Sequence, residues 1–170
     1  MDNMTAKVSC FARAYHHKNN SVHVFDDGAA EAILGKDYEE ISKSMIEGLP
    51  FFFPDFKGTK EEGLRQIVDK QLAPSVLGRS AFCKRKLAEE VKNGCGQYLI
   101  LASGAEEQMK ALYSNMEIVM LLQQCGFKLV EHLDSDEMTK QYFETYNRST
   151  KYMPMKAPKG VGYVLAKKVH

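Results

Sequence analysis

Gln97-Tyr-Leu-Ile-Leu-Ala-Ser-Gly104 is an apolar β-type run that ends in a glycine turn. It passes straight into a helical segment, Ala105-Glu-Glu-Gln-Met-Lys-Ala-Leu-Tyr113. Strand, glycine turn and helix open a nucleotide-binding βαβ unit, in which the helix N-terminus meets an anion. Such a unit ordinarily carries further glycines, and an acid about 20 residues on that holds a ribose. Here Gly104 is the turn's one glycine, and the equivalent distance leads to Gln123-Gln-Cys-Gly126, without an acid. The pattern begins a cofactor site and does not finish it.

The rest of the chain bounds what that site belongs to. With 170 residues there is enough chain for one domain with a real core, spanning residues 1–170. Hydrophobic residues make up 44% and charged residues 26%, the balance of a globular chain. A net charge of +1 gives no electrostatic case for nucleic acid or an anionic membrane as partner. No apolar run has the length of a membrane span, and Met1-Asp-Asn-Met-Thr-Ala-Lys7 lacks the apolar core of a signal peptide. Cys10, Cys83, Cys95 and Cys125 form no Cys-x-x-Cys pair, so free thiols in a reducing cytoplasm are expected.

Outward from the decisive stretch, residues 1–95 read as a helical cap and residues 96–170 as a small α/β core. Val8, Phe11, Ala12 and Tyr15 recur at helical spacing between residues 4 and 17. Short helices follow over 29–34 and 37–47, closed by Gly35 and Gly48. The run Phe51-Phe-Phe-Pro-Asp-Phe56 is aromatic enough to be expected in the core. Thr59-Lys-Glu-Glu62 is a capping box that opens a helix to about residue 70, and Pro74 suits the first turn of the next, which ends near Asn93-Gly94. Past the strand at 98–101, Ser114-Asn-Met-Glu117 is another capping box, closed by Cys125-Gly126. Phe127-Lys-Leu-Val-Glu-His-Leu133 alternates as a half-buried strand does, Asp134-Ser-Asp-Glu137 caps a helix to about Arg148, and Gly162-Tyr-Val-Leu-Ala-Lys167 is the last strand.

Few residues carry a chemical signature on their own. Arg79 lies on a helix that leads into the first strand, where it either reaches a carboxylate or phosphate or stands as a surface arginine. Arg13 has the same two readings. His16 and His17 are adjacent and cannot share a metal face, and His23, His132 and His170 have no partner spacing, so no metal is expected. Asp26 and Asp27 are expected to cap the helix after them. Met153-Pro-Met-Lys-Ala-Pro158 is a proline-braced loop with Met153 and Met155 set out to solvent, either a lid over an apolar substrate or a plain connector. No Ser-His-Asp, Cys-His or Walker pattern is present.

Longer strings carry a resemblance. Val8-Ser-Cys-Phe-Ala-Arg-Ala-Tyr15, Val24-Phe-Asp-Asp27, Gly78-Arg-Ser-Ala-Phe-Cys83 and Gln97-Tyr-Leu-Ile-Leu101 resemble the N-terminal half of the bacterial leucine carboxyl methyltransferase-like enzymes, which use S-adenosylmethionine. Cys125-Gly-Phe127, Glu131-His-Leu133, Tyr142-Phe-Glu-Thr-Tyr-Asn-Arg148 and Met155-Lys-Ala-Pro158 are similar to the same family's tail. In that family the first strand ends in Gly-Ala-Gly-Leu-Asp and further strands follow, whereas this chain has Ala102-Ser-Gly104 and then the late helix. The resemblance implies that roughly 100 residues of the middle, most of an ordinary domain's mass, are missing. That accounts for the unfinished site: the strand bearing the ribose acid is absent.

The resemblance further implies a cofactor site of Arg13, Arg79, Ala102, Ser103 and Gly104, and a substrate lid of Tyr146, Met153 and Met155. It implies a reduced Rossmann-like core, a three-stranded mixed sheet in the order first, last, second. The activity implied is O-methyl transfer to a small-molecule carboxylate or hydroxyl. The alternative is a shortened, inactive relative that binds or self-associates. An uncovered edge at 98–101 leads us to expect a homodimer, joined edge to edge or by exchange of elements.

Overall fold

The computed structural model describes residues 3–94 and 114–169. Helix α1 (Met4–Asn19) opens behind Asn3, whose side chain accepts from the Ala6 amide. Its buried face is Cys10, Phe11, Ala14 and Tyr15, the spacing of one helical stripe. A loop then doubles back to α2 (Ala30–Leu34), which Gly35 stops with a positive φ of 54°, a conformation that a Cβ disfavours. Helix α3 (Asp37–Glu47) runs into the single turn α4 (Leu49–Phe52).

The Thr59 capping box starts α5 (Lys60–Ile67), with both reciprocal bonds to Glu62 in place. A wide π-helical turn, Val68–Leu72, joins it to α6 (Ala73–Lys92). Helix α7 (Asn115–Gln124) has the expected Ser114 capping box but buries no residue. Strand β1 (Phe127–Leu133) follows, then α8 (Ser135–Met138), a second wide turn at Thr139–Phe143, α9 (Glu144–Ser149) and β2 (Tyr163–Lys168).

One core joins both ends of the chain. Phe11 and Tyr38 meet at 5.0 Å between ring centroids, and Val68 and Leu77 lie beside them. Met138, Phe143, Tyr146 and Met155 from the C-terminal segment complete the cluster. Gly78 lets them in: a Cβ there would stand 3.2 Å from both Met138 and Phe143. The chain beyond α9 is pinned by Asn147, whose side chain donates to the Met155 carbonyl and accepts from the Met155 amide, each at 2.8 Å.

Three expectations are corrected. The sheet among the described residues is two-stranded, with β1 and β2 antiparallel from Phe127 opposite Lys168 to Leu133 opposite Tyr163 and an extra residue at Val130. The three-stranded order is not found there, and its member at 98–101 lies outside the described residues. The aromatic run is not core: Phe51 is 85% exposed and Phe52 42%, because α4 ends after one turn and turns this edge to solvent. Met155 is the reverse case, expected at the surface and only 1% exposed, since the Asn147 clamp draws it under α9.

Candidate functional site

Arg79 lies on the exposed side of α6 and pairs with no carboxylate among the described residues. The same helix turns Phe82 toward Tyr163 of β2, at 5.6 Å between ring centroids, and the Tyr163 hydroxyl donates to the Ser75 carbonyl at 3.3 Å. Burial raises the Tyr163 phenol's pKa, and the Arg79 charge opposes that rise, so the guanidinium lies within electrostatic reach of the sheet. Arg13 is engaged differently. Its Nε donates to Asp27 at 2.8 Å and its Nη1 to the Ser9 carbonyl at 3.3 Å. Ala102, Ser103 and Gly104 lie outside the described residues.

The loop between α1 and α2 is bound back onto α1 by its polar groups. Neither Asp26 nor Asp27 caps α2, which has no side-chain cap. Asp27 takes Arg13, while Asp26 lies 2.5 Å from His17 Nδ1 and 3.7 Å from His23 Nδ1. His16 is buried, and its Nε2 accepts the Val24 amide at 3.0 Å. Burial pushes the His16 pKa down to about 4, with the charges of His23 and Arg65 adding to the effect. His23 has a spatial partner after all: its ring stacks on His17 at 5.4 Å because the chain reverses after Asn19. Sequence spacing along a single helix could not show this.

A second polar group forms where α5 meets the C-terminal segment. Arg65 donates to the Asn19 carbonyl at 2.9 Å and to Asn20 Oδ1 at 3.2 Å, and its guanidinium lies 3.7 Å over the Tyr152 ring. Tyr146, one of the expected lid residues, is buried and donates to the same Asn20 oxygen at 3.3 Å. Asp69 pairs with Arg65 at 3.5 Å, but its other oxygen is buried without a hydrogen-bond partner. Burial raises its carboxyl to about 6, against the opposing pull of Arg65. Two clefts lie here, with Tyr152 lining both. One, of about 220 Å3, is lined by Asn20, Val22, Tyr146 and Thr150. The other, of about 190 Å3, is lined by Arg65, Asp69, Tyr152 and Met153. Tyr146 and Met153 thus border neighbouring clefts, while Met155 borders neither. Sequence reasoning missed Arg65, Asp69 and Asn20; the Arg65–Asp69 spacing of one helical turn was the available signal.

Comparison with known proteins sets this geometry in a family. The model of the leucine carboxyl methyltransferase family matches residues 6–109, more than half of the chain. A "putative S-adenosyl-L-methionine-dependent methyltransferase", YktD of Bacillus subtilis (strain 168), is 33% identical over 108 residues. That match covers 61% of this chain and 36% of the relative, so the chain spans about a third of the relative it matches. No solved structure matches the chain significantly. The family-model match takes in Arg13, Arg79 and residues 102–104 but does not reach Tyr146, Met153 or Met155. The chain belongs to the leucine carboxyl methyltransferase family, and S-adenosylmethionine is the cofactor that this membership implies.

Proposed function

We propose that the chain binds S-adenosylmethionine through Arg79 and is a reduced O-methyltransferase acting on a small-molecule carboxylate or hydroxyl. The observation that carries the reading is the contrast between the two arginines inside the family match. Arg13 is held by Asp27, whereas Arg79 is exposed with no carboxylate partner among the described residues. An unpaired guanidinium presents a planar fork to the carboxylate of the cofactor's methionine end. Methyl transfer chiefly requires the sulfonium and the acceptor oxygen to be held in line at close range, so the reading needs no dedicated base. The family resemblance adds residues 102–104 to the cofactor's contacts, and Tyr146 with Met153 would form the acceptor-side wall.

Calorimetry with S-adenosylmethionine and S-adenosylhomocysteine tests it. Saturable binding that Arg79→Ala weakens by about 1.5–3 kcal/mol, the range of a charged hydrogen bond, supports the assignment. Unchanged affinity in a folded Arg79→Ala protein overturns it.

A second reading is a shortened relative that folds and self-associates without catalysis. It is favoured by the apolar side of α7, where Met116 is 73% exposed and Met120 48%. On this reading the chain is a homodimer, joined edge to edge or by exchange of elements between chains. Sedimentation as a monomer at high micromolar concentration removes this reading.

A further inference from the structure

We propose that His17, His23 and Asp26 form a binding site for a divalent transition-metal cation of the Zn2+ class. One ligand atom from each of the three lies within 4.8 Å of the other two. Two imidazoles and a carboxylate are a ligand set for Zn2+ and its neighbours, whereas Mg2+ and Ca2+ take oxygen-rich cages.

The hydrogen bonds around the triad point the same way. His23 Nε2 lies 3.1 Å from the His17 carbonyl, which can only accept, so that nitrogen carries the proton. In the neutral ring Nδ1 is then a bare lone pair, 3.7 Å from an Asp26 oxygen that also offers only lone pairs. Two acceptors facing each other call for a proton or a cation between them. A ring nitrogen fixed by donation from the opposite N–H to a backbone carbonyl is also how metal-bound histidines are ordinarily held. His17 Nδ1 lies 2.5 Å from the same carboxylate, a bond whose proton a metal would displace.

Metal-to-ligand distances of about 2.0–2.2 Å place neighbouring ligands roughly 3 Å apart, between the two separations seen here. Closure requires the three side chains to rotate inward from positions where their ligand atoms already lie within 4.8 Å of one another. Asp26 is the most exposed of the three, which leaves room for water to complete the coordination. His16 is excluded from the set, because its Nε2 is taken by the Val24 amide. The Lys84 charge lies within electrostatic reach of Asp26, a repulsive neighbour that limits affinity without blocking the ligands. A bound cation would lock the loop that also carries Asp27, the partner of Arg13.

Titration of the chelator-treated full chain with ZnCl2 by calorimetry, and with CoCl2 by visible absorption, tests the site. One saturable site at micromolar metal is expected, with the absorption of nitrogen-ligated Co2+. His23→Ala and Asp26→Asn should each weaken it by about tenfold or more, since even outer-shell changes cost that much. His132→Ala, on β1, should leave it unchanged. Circular dichroism establishes that each variant is folded, and the exposed Asp26 is the position least able to disturb folding. Absence of saturable uptake, or affinity as high as the parent protein's in the folded Asp26→Asn and His23→Ala variants, overturns the proposal.

Discussion

Arg85 donates through one guanidinium nitrogen to Glu131 at 2.7 Å, and so ties α6 to β1. The same residue's Nε donates to the Tyr142 hydroxyl at 2.6 Å, and Lys86 closes on the other Glu131 oxygen. Helix, strand and the turn before α9 therefore meet at the Arg85 guanidinium. Burial would raise the Glu131 pKa, but the bonds from Lys86 and Arg85 outweigh it and hold the group below the ordinary glutamate value. The folded pKa is depressed, so the stabilisation is present above the unfolded value and lost as pH falls through the folded one. Glu131→Gln should lower stability by about 1 kcal/mol at neutral pH in chemical denaturation. The difference from the parent protein should shrink in acid.

His16 and Asp69 titrate against each other. The His16 pKa is lowered from 6.5 to about 4, so the unfolded chain takes up the proton first and stability is lost as pH falls through that window. The Asp69 pKa is raised from 3.8 to about 6, so the folded chain keeps its proton longer and stability is lost as pH rises through that window. Between pH 4 and 6 the two slopes oppose. Asp69→Asn should remove the second slope, exposing a rise in stability with pH, and should raise stability at pH 7 by about 2 kcal/mol. A flat pH profile in that variant, followed by urea unfolding, would contradict the burial of His16, and unchanged stability at pH 7 would contradict that of Asp69.

Gly78→Ala should destabilise despite the better helix propensity of alanine. The added methyl meets Met138 and Phe143 at 3.2 Å inside the shared core. Overpacking of this kind costs about 1–3 kcal/mol, against a helix gain of about 1 at most. Gly78→Val, larger and β-branched, should show a loss beyond doubt in thermal melts.

Phe51→Ser should leave the melting temperature unchanged, to within about 0.5 kcal/mol of stability. A residue 85% exposed has little burial to lose. A marked drop would mean that the aromatic edge is covered in solution.

What the sequence disclosed was mostly local. The boxes at Thr59–Glu62, Ser114–Glu117 and Asp134–Glu137 all formed, because the residues that satisfy one another lie three positions apart. That β1 and β2 lie side by side was legible from alternation and resemblance; their antiparallel register came from the structure. Pairings made by chain reversal were not: Arg13 with Asp27, His23 over His17, and Tyr146 with Asn20 join residues that no helical or strand period relates. The wide turns at 68–72 and 139–143 insert a residue into an otherwise continuous helical pattern, which composition hides. The Phe51–Phe56 run misled because hydrophobicity predicts burial only where neighbouring chain is available to cover it.

The Asn147 clamp makes the chain from 148 to 154 a purse closed at its neck. Both ends are anchored independently of what lies between, by the buried rings of Phe143 and Tyr146 on one side and the buried Met155 on the other. Lys151 and Tyr152 in the bag are exposed. A tryptic nick at Lys151 should therefore leave the two fragments associated and co-eluting in native buffer, parting only in denaturant. Extra residues spliced in at that point should be tolerated too, since lengthening a closed loop adds little entropy once its neck is fixed. Within this shared core, the bag is where the chain can change length with least effect on the fold.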